Sequence, residues 1–164
     1  MPSGHLPFAP AWLVKTSPIA RRTPILGTTM TSHPASEGIF ESFRRAEMLI
    51  ARQRPLDALQ ALVPVLESQP DSASVQLLAG RAYLNSAQLQ RAEEAFTRVL
   101  DLDPADHYAR FALGKALHRQ GRLGEAHAQL KMAAAMDPRP EYQEALGEVR
   151  ARLAVQADSP DERP

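Results

Sequence analysis

The sequence predicts an all-α fold, a stack of helical hairpins closed at one end by a single helix. Three observations predict it. Ala58, Ala92 and Ala126 stand 34 residues apart, and so do Pro70, Pro104 and Pro138. Leu62, Phe96 and Leu130 keep the same step. Between these marks apolar residues recur at three- and four-residue spacing, the period of a helix with one buried face. A fixed repeat of this length marks units that bury their apolar faces only by stacking on one another.

Residues 1–35 stand apart from this pattern. Pro2, Pro7, Pro10, Pro18, Pro24 and Pro34 fall among Ser, Thr and Gly. Each proline removes a backbone donor and biases its predecessor away from helix, so the segment reads as a disordered tail. It is a poor secretory signal, because Lys15, Arg21 and Arg22 follow the short apolar run at 9–14 instead of preceding it. Trp12, the only tryptophan, sits in that run. Two readings stay open: a docking motif or strap over the array, and an unstructured extension ahead of a start at Met30.

The array spans 36–157. Its first unit, 39–72, opens after Ser36, placed to cap, and Glu37, which favours the positive end of a helix. Phe40, Phe43, Ala46, Leu49 and Ile50 form one stripe, and Ala58, Leu62, Val65 and Leu66 the next. Pro55 suits the first position of the second helix. Pro64 falls inside that helix, where a kink is expected, since Leu66 and Pro70 stay in register.

The second unit, 73–106, packs Gly80 and Ala92 where two helices approach closely, with Phe96 filling the gap and Val99, Leu100 and Leu102 facing the next unit. The third, 107–140, follows Asp103-Pro104-Ala105-Asp106, an acidic cap and a proline suited to a first turn. Gly121 supplies a positive φ at its inner turn, and Ala126, Leu130, Ala133 and Ala134 line its second helix. A last helix, 141–157, places Tyr142, Ala145, Leu146, Val149 and Leu153 on one face. Glu141, Glu144, Glu148, Arg150 and Arg152 fall elsewhere, Glu148 and Arg152 at pairing distance. One apolar and one charged face are what ends a solenoid in water. Residues 158–164 read as a second disordered tail.

The pattern resembles the tetratricopeptide repeat family. Its small-then-glycine pair appears as Ala79-Gly80, with Leu113-Gly114 in the third unit, and its following aromatic as Tyr83, replaced by Leu117. Ala58, Ala92 and Ala126, then Leu62, Phe96 and Leu130, then Pro70, Pro104 and Pro138 complete the signature. The family's early tryptophan is absent, with Ser42, Gln76 and Arg110 in its place, and the first unit has Arg45-Ala46 for the small-glycine pair. The resemblance implies a right-handed solenoid of three tetratricopeptide repeats plus a C-terminal capping helix. It also implies a concave groove lined by the first helix of each unit. The groove positions are Phe40, Phe43, Glu47 and Ile50; Ser74, Leu77, Arg81, Leu84 and Asn85; and Tyr108, Phe111, Lys115, His118 and Arg119.

That set is apolar with one basic end. The expectation is a peptide whose apolar side chains meet Phe43, Leu77 and Phe111 while an acidic group meets Arg81, Lys115 and Arg119, because a guanidinium can bond both carboxylate oxygens. Chaperone-binding members hold a terminal carboxylate with a lysine, asparagine and arginine clamp. The matching positions here are Phe43, Glu47, Leu78, Tyr108 and Ala112, so that role is not expected.

Composition narrows the rest. The 164 residues carry 19 basic and 19 acidic side chains, so no global basic charge points to nucleic acid. With no cysteine there is neither a disulfide framework nor a thiolate metal site, which fits the cytoplasm. Abundant alanine, arginine and proline suggest a bacterial genome of high GC content. No apolar run reaches membrane-spanning length. His5, His33, His107, His118 and His127 include no pair with ligand spacing on one helical face, and no phosphate loop or catalytic motif is present. The expectation is therefore a scaffold or adaptor without catalysis, cofactor or metal. Its alternative is a structural protein pairing with its own copy through the uncapped first unit and Phe40. RNA binding by paired polar side chains on each unit fits the apolar groove positions poorly.

Overall fold

The computed structural model describes residues 34–158, with side chains from Gly38 onward. The chain divides into a unit Met1–Ser32 and a second unit His33–Pro164. The expected N-terminal tail up to residue 33, Trp12 and Met30 included, and the tail at 159–164 lie outside the described residues.

Seven helices follow in order: α1 (Pro34–Ala51), α2 (Pro55–Ser68), α3 (Ala73–Asn85), α4 (Leu89–Leu102), α5 (His107–Arg119), α6 (Leu123–Met136) and α7 (Pro140–Asp158). No strand occurs among the described residues. α1 packs on α2, α3 on α4 and α5 on α6, and α7 lies against α6 and α5. The prolines act as punctuation. α2, α4 and α6 each stop two residues short of Pro70, Pro104 and Pro138, since the position before a proline is disfavoured in helix.

The inner turns share one backbone device. Gln53, Ala87 and Gly121 take left-handed φ values of 58°, 61° and 80°. They occupy the same position of successive hairpins. Only Gly121 announces it in the sequence; the other two adopt a conformation that L side chains resist.

Close approach explains the two helical glycines. A Cβ on Gly80 would lie 2.6 Å from Phe96 Cε1, and one on Gly114 would lie 2.6 Å from Leu130 Cγ. Phe96 and Leu130 are fully buried in these gaps. Two apolar clusters result. One joins Ile50, Leu62, Val65 and Leu78, the other Phe96, Leu113, Leu130 and Tyr142, and half-buried Tyr83 packs against both.

Polar links tie the hairpins. Arg122 bonds Glu93 at 2.7 Å and Glu125 at 2.5 Å, and its guanidinium holds the Glu125 carboxyl below the usual carboxylate range. Gln120 adds a bond to Glu93 at 2.9 Å, and Arg98 pairs with Asp71. The Arg98–Asp71 pair is exposed and contributes little by itself.

Curvature follows from which helices touch. α1 meets α3, α3 meets α5, and α5 meets α7, whereas α2, α4 and α6 do not meet one another. A stack whose odd layer is closer-spaced than its even layer bends toward the odd layer. The first helix of each hairpin therefore lines the inner side of the curve.

Several local expectations are corrected. α1 begins at Pro34, so Ser36 and Glu37 lie within the helix instead of ahead of it. The expected acidic cap of α5 is present as Asp106, whose carboxylate accepts the Ala109 N–H at 2.8 Å. Asp103 and Pro104 sit in the connecting turn, and the Asp103 carboxylate accepts from Ala105. As the register of Leu66 and Pro70 leads one to expect, Pro64 does not end its helix, which runs on to Ser68. Leu102 is 44% exposed instead of covered by the next hairpin. Arg152 reaches His118 across the helix interface at 2.9 Å in place of the Glu148 partner one turn away.

Candidate functional site

The odd helices present three residues each to the inner face at i, i+4 and i+7, the spacing that keeps side chains on one side of a helix. α1 contributes Phe43, Glu47 and Ile50, α3 contributes Leu77, Arg81 and Leu84, and α5 contributes Phe111, Lys115 and His118. The middle residues, Glu47, Arg81 and Lys115, are all exposed, while Phe43, Leu77, Leu84 and His118 are half-buried. Ser74 and Asn85 are exposed and Tyr108 is half-buried. Phe40 is 62% exposed.

Two of the expected groove residues belong to the core. Ile50 is 3% exposed and Phe111 8%. The Phe111 ring stacks on Tyr142 of α7, centroids 4.3 Å apart at 22°. An apolar peptide side chain cannot displace that ring, so Phe111 offers a floor and not a protruding anchor.

The basic cluster is also only partly available. Arg119 donates to the Leu84 carbonyl at 2.6 Å, an acceptor at the end of α3 that also takes the Ala87 N–H at 3.2 Å. Lys115 Nζ lies 5.4 Å from the Phe111 centroid, within reach of the ring's negative face. Arg81 makes no ion pair or hydrogen bond among the described residues.

What the sequence reading missed is the wall facing α5. A pocket of about 340 Å³ lies between α5 and α7, lined by Phe111, Lys115 and His118 on one side and Glu141, Glu144 and Glu148 on the other. Leu130, packed against Gly114, also lines it. The signal was present. Those glutamates recur at three- and four-residue spacing, but they read as a solvated face unless α7 is known to extend the inner layer.

Tyr142 is fully buried and bonds His107 Nδ1 at 3.0 Å. Burial pushes its phenol above the ordinary value of 10.0. No group of three or more metal-ligating side chains occurs among the described residues. No helix among them is long and apolar enough to cross a membrane. The clamp positions Leu78 and Ala112 are 3% and 2% exposed, apolar and out of reach of a ligand.

A helix–turn–helix of this period, with a small residue opposite a large apolar one, has a family equivalent. Residues 77–140 match the tetratricopeptide repeat. Solved tetratricopeptide structures share the architecture well beyond that segment. The first such domain of human RPAP3 superposes with a TM-score of 0.68 at 15% identity, covering 75% of this chain and 98% of its own. The first domain of Spaghetti (RPAP3), solved with the HSP90 peptide SRMEEVD, gives 0.67 at 16% identity over 73% and 95%. The Sgt2 domain from Aspergillus fumigatus gives 0.68 at 17% over 77% and 85%. At these identities the likeness is one of fold. No curated protein matches the chain in sequence.

Proposed function

We propose that this chain is a non-catalytic, cytoplasmic interaction module, a scaffold or adaptor that holds an extended or helical segment of a partner protein along its inner face. The domain that binds is the array at 36–157, with repeats at 39–72, 73–106 and 107–140 and a cap at 141–157. The observation that carries the reading is the inner face itself. Half-buried Phe43, Leu77 and Tyr108 alternate with the exposed charges Glu47, Arg81 and Lys115, and Arg81 has no ion pair or hydrogen bond among the described residues. Apolar shelves with convergent charges orient a bound segment. Support also comes from the Spaghetti domain, whose fold is similar and which was solved with a peptide. Apolar Leu78 and Ala112 in place of the clamp argue for a ligand other than a chaperone tail.

The test compares capture from native extract by the full chain and by its Arg81→Glu, Lys115→Glu double variant, after matched melting curves. A partner held only by the unmodified face supports the reading. Equal capture by both would move the site off this face.

Self-association through α1 finds less support. Where α3 and α5 bury Val75, Leu78, Ala79 and Ala109, Ala112, Leu113 against the preceding hairpin, α1 carries exposed Glu41, Arg44 and Arg45. Charges at an end face cost desolvation on pairing. The measured mass in sedimentation is therefore expected to stay constant with concentration; a mass that doubles would restore the pairing account.

A further inference from the structure

The crevice between α5 and α7 has a chemistry of its own, and it deepens the reading of the inner face as a peptide groove, on which it rests. We propose that this crevice seats a basic side chain, lysine or arginine, of the bound partner segment. Three carboxylates, Glu141, Glu144 and Glu148, face one ammonium, Lys115, and one imidazole. The His118 Nε2 accepts from the Arg152 guanidinium at 2.9 Å, which places a second cation beside that lining residue. Glu144 and Glu148 have no ion-pair partner among the described residues, and Glu141 has only Arg139 at 3.9 Å.

The floor points the same way. Phe111 is pinned by its stack on Tyr142, so its π face holds one orientation, and such a face attracts cations. The chain's own Lys115 ammonium already lies 5.4 Å over that ring. At about 340 Å³ the crevice falls at the small end of ligand-binding pockets. A carboxylate entering it would meet three like charges; a guanidinium or ammonium would meet three partners, set against the cations of Lys115 and Arg152.

One hairpin away the sign is opposite, because exposed Arg81 has no ion-pair partner among the described residues. The inner face is therefore bipolar. A partner segment reads as basic against α7 and acidic against α3, which fixes its direction as well as its composition. This adds a basic group to the expected segment of apolar and acidic side chains.

The experiment is selection of a random peptide library displayed on phage, panned separately on the full chain, on Glu141→Gln, Glu144→Gln, Glu148→Gln, and on Arg81→Glu, all checked for equal helicity. The unmodified chain should enrich peptides with a lysine or arginine set beside apolar residues. The synthesised winner should bind the triple glutamine variant about fivefold or more weakly, and lose part of its salt sensitivity. Peptides that are acidic throughout, bind the triple variant unchanged and are lost on Arg81→Glu would overturn the crevice assignment while leaving the groove intact. Winners that bind all three proteins equally, or a library that yields none, would overturn both.

Discussion

Phe96 and Leu130 perform one task at equivalent positions, each filling the space left by a glycine on the facing helix. That space is small. An added methyl at Gly80 would meet the Phe96 ring at 2.6 Å, so Gly80→Ala should lower stability by about 1–3 kcal/mol through overpacking. Phe96→Ala should cost about 3–5 kcal/mol by opening a cavity. The two are coupled: in the Phe96→Ala background the Gly80→Ala penalty should shrink, and a double-mutant cycle from chemical denaturation would read the difference. Additive losses would mean that the two residues do not share one gap. The left-handed turn residues give a change of opposite sign. Ala87 sits at φ 61°, where a Cβ costs about 1 kcal/mol. Ala87→Gly should therefore raise the melting temperature slightly despite glycine's looser unfolded chain, whereas Gly121→Ala should lower it.

At the scale of the element, α7 decides more than its terminal place suggests. Its apolar face covers Phe111 and buries Tyr142, while its glutamates furnish a wall of the crevice. Removing it would expose the third hairpin and erase the acidic wall together. Tyr142 ties this docking to pH. Its folded-state phenol is held above the unfolded value of 10.0 by burial, so the unfolded chain ionises first. The stabilisation of the neutral phenol is fully present below pH 10.0 and is lost as pH climbs through the higher folded value. Tyr142→Phe should flatten the fall in stability above that pH, at the expense of the His107 hydrogen bond. A variant with an unchanged alkaline limb would place the ionisation elsewhere.

At the scale of the molecule the stack behaves as a line of neighbours, each hairpin stabilised by those it touches. α3 to α6 are covered on two sides, whereas the outward face of α1 is solvated and charged. Hydrogen exchange should therefore show the slowest amides in α3–α6 and the fastest among the helices in α1. Uniform protection along the stack would indicate a single cooperative unit instead.

The period, the helix-ending prolines, the small-against-large pairs and the fold class were legible in the residues alone. Each is a local or strictly periodic constraint. A proline bars its own neighbourhood from helix whatever surrounds it, and Gly80 opposite Phe96 needs only the repeat register to be recognised. Side-chain availability was not legible. Phe111 and Phe43 occupy equivalent positions, yet Phe111 is sealed by Tyr142 because α7 lies over it, and Phe43 is not. Arg119 looked free until the end of α3 brought the Leu84 carbonyl within 2.6 Å. Glu141, Glu144 and Glu148 became a binding wall only because α7 continues the inner layer. Burial and charge pairing are set by what packs across the stack, which no local or periodic pattern records.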